Sequence, residues 1–440
     1  MNRIILIGNG FDLAHGLPTQ YADFIKDYWD GFIKHCLLQD RCNVSGNYNY
    51  DCIKFKTPPG SGLTLSYLLQ QNHNATEIQY IDKTFKNCNH FISFDNQIKC
   101  EVGNKLLRHL FHISNDRENN WVDIENEYYQ YLTHRFKRLI DIENEYYSEI
   151  RALNIDFNHI KELLSKYLST IIESQNVKQI RQIRQIIYSQ FDLKDFIEDA
   201  QHEFIEKEYN KILEYQDKNN NPEDLSIATK TKEWIDSSWN PYEDGREKVK
   251  CNLLDIKSSK KHFELQPEQI LFLSFNYTDI EKIYRKNKVK QEIIHIHGEL
   301  GNPKNPIIFG YGDELEENYS KLENLQDNDY LENIKSIRYL ETDNYKKMLS
   351  FIDSDKYQVI IMGHSCGNSD RTLLNTLFEH KNCVSIKPYY YKYKDQQTGE
   401  IKDNYSDIVR NISRSFTNKK SMRDKVVNKI YTDWFSRNID

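Results

Sequence analysis

Short apolar runs rich in β-branched residues mark the two ends of the chain: Ile4–Ile7, Ile270–Phe275, Glu292–Ile296, Ile307–Phe309, Gln358–Met362 and Cys383–Ile386. Each has the length of a strand buried on both faces, and helical stretches separate them. That pattern predicts an α/β fold with a parallel sheet. The middle of the chain reads differently. Ile160, Leu163, Leu164, Tyr167, Leu168, Ile171 and Ile172 follow the i, i+3, i+4, i+7 spacing of an amphipathic helix. A second helix is predicted over Asp195–Tyr215, with Phe196, Phe204, Ile205, Ile212 and Leu213 inward, ended by Asn219-Asn220-Asn221-Pro222. The expected organisation is an α/β domain from residues 1–35 plus 265–440, an irregular polar segment over 36–105, and a mainly helical insertion over 106–264.

Composition sharpens this picture. Of 440 residues only 16 are Gly and 9 are Pro. Gly103 and Gly245 enclose a stretch with no glycine and, before Pro222, no proline, as successive helices require. Within it Asp123-Ile124-Glu125-Asn126-Glu127-Tyr128-Tyr129 recurs as Asp141-Ile142-Glu143-Asn144-Glu145-Tyr146-Tyr147, and Gln179–Ile187 carries an Ile-rich helical repeat. These read as packing faces, and the insertion is a candidate surface for a homo-oligomer. A net charge of −7 argues against a binder of duplex DNA. No run approaches the roughly 18 apolar residues that span a bilayer, and the first is too short for a signal peptide, so no membrane partner and a cytoplasmic location are expected. The 8 cysteines form no C-x-x-C pair and are expected as free thiols. Cys88-Asn89-His90 with Cys100 is the nearest approach to a zinc spacing, and no metal site is expected.

Four motifs sit at predicted strand ends, where open parallel sheets bind ligands. Gly8-Asn9-Gly10-Phe11-Asp12 follows the first strand and continues to Gly16-Leu17-Pro18. Paired glycines here let backbone approach a phosphate, or else form a tight turn with Asp12 capping a helix. Neither the third glycine of a dinucleotide fingerprint nor a P-loop Lys is present. Ser274-Phe275-Asn276-Tyr277-Thr278-Asp279 offers Asn276 to a ribose hydroxyl or water, or as a helix cap. His295-Ile296-His297-Gly298 presents a candidate general base, a structural pair or two metal ligands. Met362-Gly363-His364-Ser365-Cys366-Gly367, running on to Asp370, fits G-x-S-x-G, so a serine hydrolase competes; its sole downstream histidine, His380, follows too soon. Gly310-Tyr311-Gly312 lies in the same half. Nine of the 16 glycines (Gly8, Gly10, Gly16, Gly298, Gly301, Gly310, Gly312, Gly363 and Gly367) are in or beside these motifs, which points to a nucleotide-sized site.

The opening Leu6–Phe24 segment, Phe275-Asn276-Tyr277-Thr278, His295–Gly298, Gly363-His364-Ser365 and Trp121–Glu125 together resemble the AbiH family of bacterial phage abortive-infection proteins. More distantly, Gly8, Gly10, Gly16, Leu17 and Pro18 are spaced as in the first loop of sirtuin-like domains. Asn276 and His297-Gly298 are similar to the sirtuin Asn and catalytic His-Gly, and Gly363, Ser365 and Asp370 resemble a later stretch. Asp12 replaces a serine, and Thr278 an aspartate, with Asp279 next to it. The resemblance implies a Rossmann-like (sirtuin-like) NAD-binding fold, and hydrolysis of NAD to nicotinamide and ADP-ribose with no metal cofactor. Asn276 and His297 would be catalytic; Gly8, Asn9, Gly10, Asp12, Gly16, Pro18, Asp279, His295, Gly298, Gly363, Ser365 and Asp370 would bind the nucleotide. A nucleotide-binding sensor or scaffold without turnover, and a metal-dependent nuclease using His295 and His297, stand as alternatives.

Overall fold

The structure is a computed structural model that describes residues 1–41, 47–56, 92–94, 98–116, 123–139, 147–217, 228–237, 245–287, 289–312, 314–315, 317–395 and 398–435. The chain folds as two compact units: residues 1–16, 176–308 and 338–440 form the first, residues 17–175 and 309–337 the second.

A parallel sheet organises the first unit. Its strands are β1 (Asn2–Ile7), β2 (Gln269–Ser274), β3 (Lys290–His295), β4 (Tyr357–Met362) and β5 (Cys383–Tyr389), in the order β3-β2-β1-β4-β5. Central β1 pairs with both neighbours, Leu6 opposite Leu273 on one side and Ile361 on the other. Every residue of β1 and of β4 is buried, which is why Ile4–Ile7 and Val359–Met362 are continuous apolar runs rather than alternating. Ile4, Leu6, Leu271, Leu273, Val359 and Ile361 point into one core with Leu374, Leu377 and Ile412 of the helices Arg371–Glu379 and Tyr405–Ser415. The other face carries Arg3, buried to 1%. Its guanidinium donates to the carbonyls of Ile187 and Ser189 and to Gln358, and lies 4.6 Å from the Phe191 ring centre.

Five of the six anticipated strands form. Ile307–Phe309 does not join the sheet: Ile308 gives its N–H to the carbonyl of His297, and Pro306 has none to give. β5 runs on to Tyr389 through Pro388, which an edge strand tolerates. The helix expected from Asp195 spans Glu198–Asp217 instead, after a 3-10 turn, Leu193–Asp195, whose Asp195 is buried against Lys387 at 2.8 Å. Residues 176–264, anticipated as part of a helical insertion, lie within the first unit.

The second unit contains the helices Tyr21–Arg41, Lys105–Asp116, Ile124–Leu139 and Tyr147–Ser174. The last holds the predicted Ile160–Ile172 face. The segment 36–105 is not wholly irregular: Asn47–Tyr50, Ile53–Lys56, Ile98–Val102 and Ile92–Phe94 form an antiparallel sheet in that order. Stacked rings of Tyr128, Phe157 and Phe309 fill the interior. Beside them Lys335 is completely buried against Glu125, Nζ to Oε2 at 2.7 Å, and Glu125 Oε1 accepts from the Gly310 N–H. The second copy of the Asp-Ile-Glu-Asn echo and the Cys88-Asn89-His90 group lie outside the described residues. Among the described residues no helix is long and apolar enough to cross a membrane, and the four described cysteine side chains, Cys52, Cys251, Cys366 and Cys383, are free thiols.

Candidate functional site

The strand order reverses between β1 and β4, and ligands of such sheets bind outside the carboxyl ends at that crossing point. All four motifs emerge there or on the adjoining β2 and β3. After β1 the chain enters the helix α1 (Asn9–Ala14) with Gly8 at its N-cap. Asp12 is therefore not the cap; it lies in the first turn and points inward, only 2% exposed. Its carboxylate accepts from the Asn276 amide at 2.9 Å and from the Thr278 hydroxyl at 2.6 Å. Burial drives the Asp12 pKa up from 3.8 to about 7; those two hydrogen bonds only partly oppose it.

Asn276 spends both amide hydrogens, on Asp12 and on the Gly8 carbonyl at 3.1 Å. Facing two oxygens fixes the orientation of the amide and leaves Oδ1 as its acceptor. His295, the last residue of β3, faces acceptors with both nitrogens: Nε2 is 3.0 Å from Glu281 Oε1 and Nδ1 is 3.2 Å from the Asn276 carbonyl. Burial works to lower the His295 pKa, but the hydrogen bond and charge of Glu281 outweigh it and the net shift is upward. Held between Glu281 and the Asn276 carbonyl, His295 anchors the Asn276 backbone.

His297 takes different partners. Its Nε2 lies 3.2 Å from the Tyr339 hydroxyl and 3.2 Å from Asp370 Oδ1. The other Asp370 oxygen lies 3.5 Å from His364 Nε2. His364 Nδ1 accepts from the Cys366 N–H at 3.0 Å, so in the neutral ring Nε2 carries the proton and aims it at Asp370. Phe275 packs edge-on to His297 and tilted against His364, with ring centres 5.0 Å and 4.2 Å away. An imidazole backed by a carboxylate, as His297 is by Asp370, can take a proton from a water or hydroxyl.

The glycine pair approaches protein rather than open space. A Cβ on Gly8 would lie 2.5 Å from His364 Cα, and one on Gly10 2.8 Å from Gly363 Cα. The N–H of Gly10 donates to the Gly363 carbonyl at 2.8 Å, and that of Phe11 to the Gly8 carbonyl. Two amides expected to cradle a phosphate are already bonded, and the β1 and β4 loops are clasped together. Gly363 adopts φ +74° against the Phe11 amide and Gly298 φ +86° against the Pro306 carbonyl; both turns exclude a side chain.

Other anticipated residues lie apart. Ser365 is exposed, and its carbonyl accepts from Asn411. Besides Gly363, the positive φ of the loop belongs to Cys366 and not to Ser365, and the buried Cys366 thiol has its pKa pushed up by that burial. His380 stacks on Tyr357 at the start of β4, a six-residue strand or about 20 Å from Ser365, so no nucleophile elbow with that partner is assembled. Asp279 is half exposed and pairs with Lys282. Asn9 begins α1, Gly16 follows α1 at φ +80°, and Pro18 belongs to the second unit, where its carbonyl accepts from Tyr167. Gly310 and Tyr311 are also in the second unit. His364, Glu281 and Tyr339 were not singled out from sequence; His364 lies inside a quoted motif and Glu281 two residues beyond one, but Tyr339 has no signal of its own. Among the described residues the side chains grouped closely enough for a metal are Asp51, Cys52 and His159, in the second unit. There Asn104 Nδ2 faces His159 Nδ1 and also donates to the Asp156 carbonyl, so His159 directs an Nε2 proton at Asp51 rather than a free lone pair.

A parallel sheet in the order 3-2-1-4-5, with glycine turns and a buried Asn–His–Asp constellation at its reversal point, defines a Rossmann-like α/β protein. The chain belongs to the bacteriophage abortive infection AbiH family, whose model it matches over residues 4–393. No curated protein and no solved structure matches it.

Proposed function

We propose that this AbiH protein acts in phage defence by hydrolysing NAD to nicotinamide and ADP-ribose at the β1–β4 reversal. One observation carries the reading: Asn276 is held rigid with its amide oxygen left to accept, on the same strand ends as His297 paired to Asp370. Cleavage of the nicotinamide–ribose bond passes through an oxocarbenium-like state in which little covalent help is needed. Positioning, exclusion of water and one base supply the catalysis. Asn276 Oδ1 would orient the ribose hydroxyl or the attacking water, and His297, backed by Asp370, would take the proton that the water releases. Nicotinamide leaves with the electrons of the broken C–N bond, and water's oxygen completes ADP-ribose.

A sensor or scaffold that binds a nucleotide without turnover is favoured by the clasp between Gly10 and Gly363, which takes up amides a dinucleotide would otherwise use. Incubating the purified full chain with NAD and separating products by chromatography distinguishes the two. Nicotinamide release that Asn276→Ala and His297→Ala abolish, with folding unchanged, supports hydrolysis. Thermal stabilisation by NAD with no nicotinamide, and a constant NAD pool during a defence response, would overturn it.

A further inference from the structure

The opposite end of the same sheet holds a second cavity. It has a volume of about 650 Å³ and opens outside the amino ends of β2 and β3, where Ile270 and Val289 form its floor. Arg184, Arg285 and Lys286 line it together with Tyr188, Asn287 and Gln266, and among the described residues no acidic side chain lines it. Three cations therefore line one hollow with no counter-charge among the described lining residues. Among the described residues none of the three makes an ion pair. Arg184 donates to the amide of Gln179, and the Lys286 ammonium lies 3.6 Å above the Tyr188 ring centre. The Tyr188 ring is fixed in turn, because its hydroxyl donates to the Tyr284 carbonyl at 2.6 Å.

Holding like charges together is unfavourable unless something else repays it. Here burial first and then the charge of Arg184 lower the Lys286 pKa. Arg184 and Arg285 reach solvent while lining the hollow, and among the described residues neither takes a carboxylate partner, although the chain holds 66 Asp and Glu. The sequence adds to the concentration, with Arg285-Lys286-Asn287-Lys288-Val289-Lys290 on the segment that enters β3.

We propose that this cavity is a binding site for a nucleotide-sized phosphorylated anion, separate from the site at the carboxyl ends. The guanidinium forks of Arg184 and Arg285 suit bidentate contact with phosphoryl oxygens, and Lys286 supplies a point charge between them. The volume falls within the range of small-molecule sites and fits one nucleotide rather than a length of nucleic acid. This inference does not rest on NAD hydrolysis.

Calorimetric titration of the full chain at low salt, with ATP, inorganic tripolyphosphate, adenosine and a twelve-residue oligothymidylate as probes, tests it. ATP and tripolyphosphate bind and compete, adenosine does not bind, and affinity falls at least tenfold between 0.05 M and 0.5 M salt because the contacts are ionic. Arg285→Ala and Lys286→Ala each weaken tripolyphosphate binding about tenfold or more with an unchanged Tm, since both side chains reach solvent. Asn276→Ala leaves that binding intact. The proposal fails if neither polyphosphate binds at millimolar concentration, if the two cation variants bind as the parent does, if Asn276→Ala abolishes binding, or if only the oligonucleotide binds.

Discussion

Replacing Asp12 by Asn isolates the energetic role of a carboxyl that the fold keeps almost dry. In the unfolded chain its pKa is near 3.8, and in the folded protein burial raises it to about 7. Between those values the native state holds a proton that the unfolded state has lost, so stability falls as pH rises through this window. The full displacement corresponds to at most roughly 4 kcal/mol, at about 1.4 kcal/mol per pH unit. Relaxation and residual hydration reduce this to an expected 1–2 kcal/mol, on the order of magnitude seen for buried groups. An Asn at position 12 keeps the shape, and the Thr278 hydroxyl can rotate to accept from its amide. Urea unfolding followed by circular dichroism at pH 5, 6, 7 and 8 gives the free-energy difference between parent and Asp12→Asn. That difference moves in favour of the variant as pH rises, with most of the change below about pH 7.5. Parallel profiles, or a parent that gains on the variant with rising pH, would refute the argument.

Further outcomes follow at Glu281, Lys335, Gly8 and Gly16. Glu281→Gln removes the partner that raises the His295 pKa. The parent's advantage, about 1–3 kcal/mol at pH 6, is full below about pH 6.5 and shrinks as pH rises through the folded His295 value, measured by the same titration. Lys335→Ala strands Glu125 in the second unit and costs about 3–5 kcal/mol, whereas Lys335→Met with Glu125→Gln recovers most of that loss; equal losses in the two would show that the charges do not interact. Gly8→Ala drives a Cβ into His364 Cα and should cost about 1–3 kcal/mol and any activity at the site. Gly16→Ala meets no atom within 4 Å and pays only backbone strain at φ +80°, about 1 kcal/mol, with activity retained.

The centre of the parallel sheet was legible because β1, β2 and β4 are buried on both faces, so Ile4–Ile7, Ile270–Leu273 and Val359–Met362 stand out as apolar runs, whereas β3 at the edge shows only its last, buried residues. Ile307–Phe309 has that look yet stays outside the sheet, since apolarity reports burial and not pairing. The antiparallel strands at 47–56 and 92–102 were illegible for the opposite reason: Asn-Tyr-Asn-Tyr and Ile-Lys-Phe-Lys carry too little apolar character to stand out. At the site, motif position at strand ends located Asn276, His297, Asp12 and Asp370. What sequence spacing could not supply was who bonds whom. Glu281 meets His295 across the β2–β3 pair, 14 residues away, and Asp370 joins His297 to His364 across the strand ends, contacts that no motif spacing predicts. The glycines illustrate the same limit. Their clustering signalled close approach, but the partner in that approach is the chain's own backbone.

The position of β1 has a consequence for how this chain is made. The strand at residues 2–7 leaves the ribosome before the rest of its sheet but lies at the centre of it, and its partners are residues 270–274 and 357–362. At about 5–20 residues per second, the nascent strand waits roughly 13–50 s for its first neighbour and longer for its second. During that interval the apolar run Ile4–Ile7 has two unpaired edges, the situation in which strands recruit wrong partners. Vectorial folding of the first unit therefore cannot be completed until synthesis has passed β4. A message truncated before β4 would release the central strand with one edge permanently open.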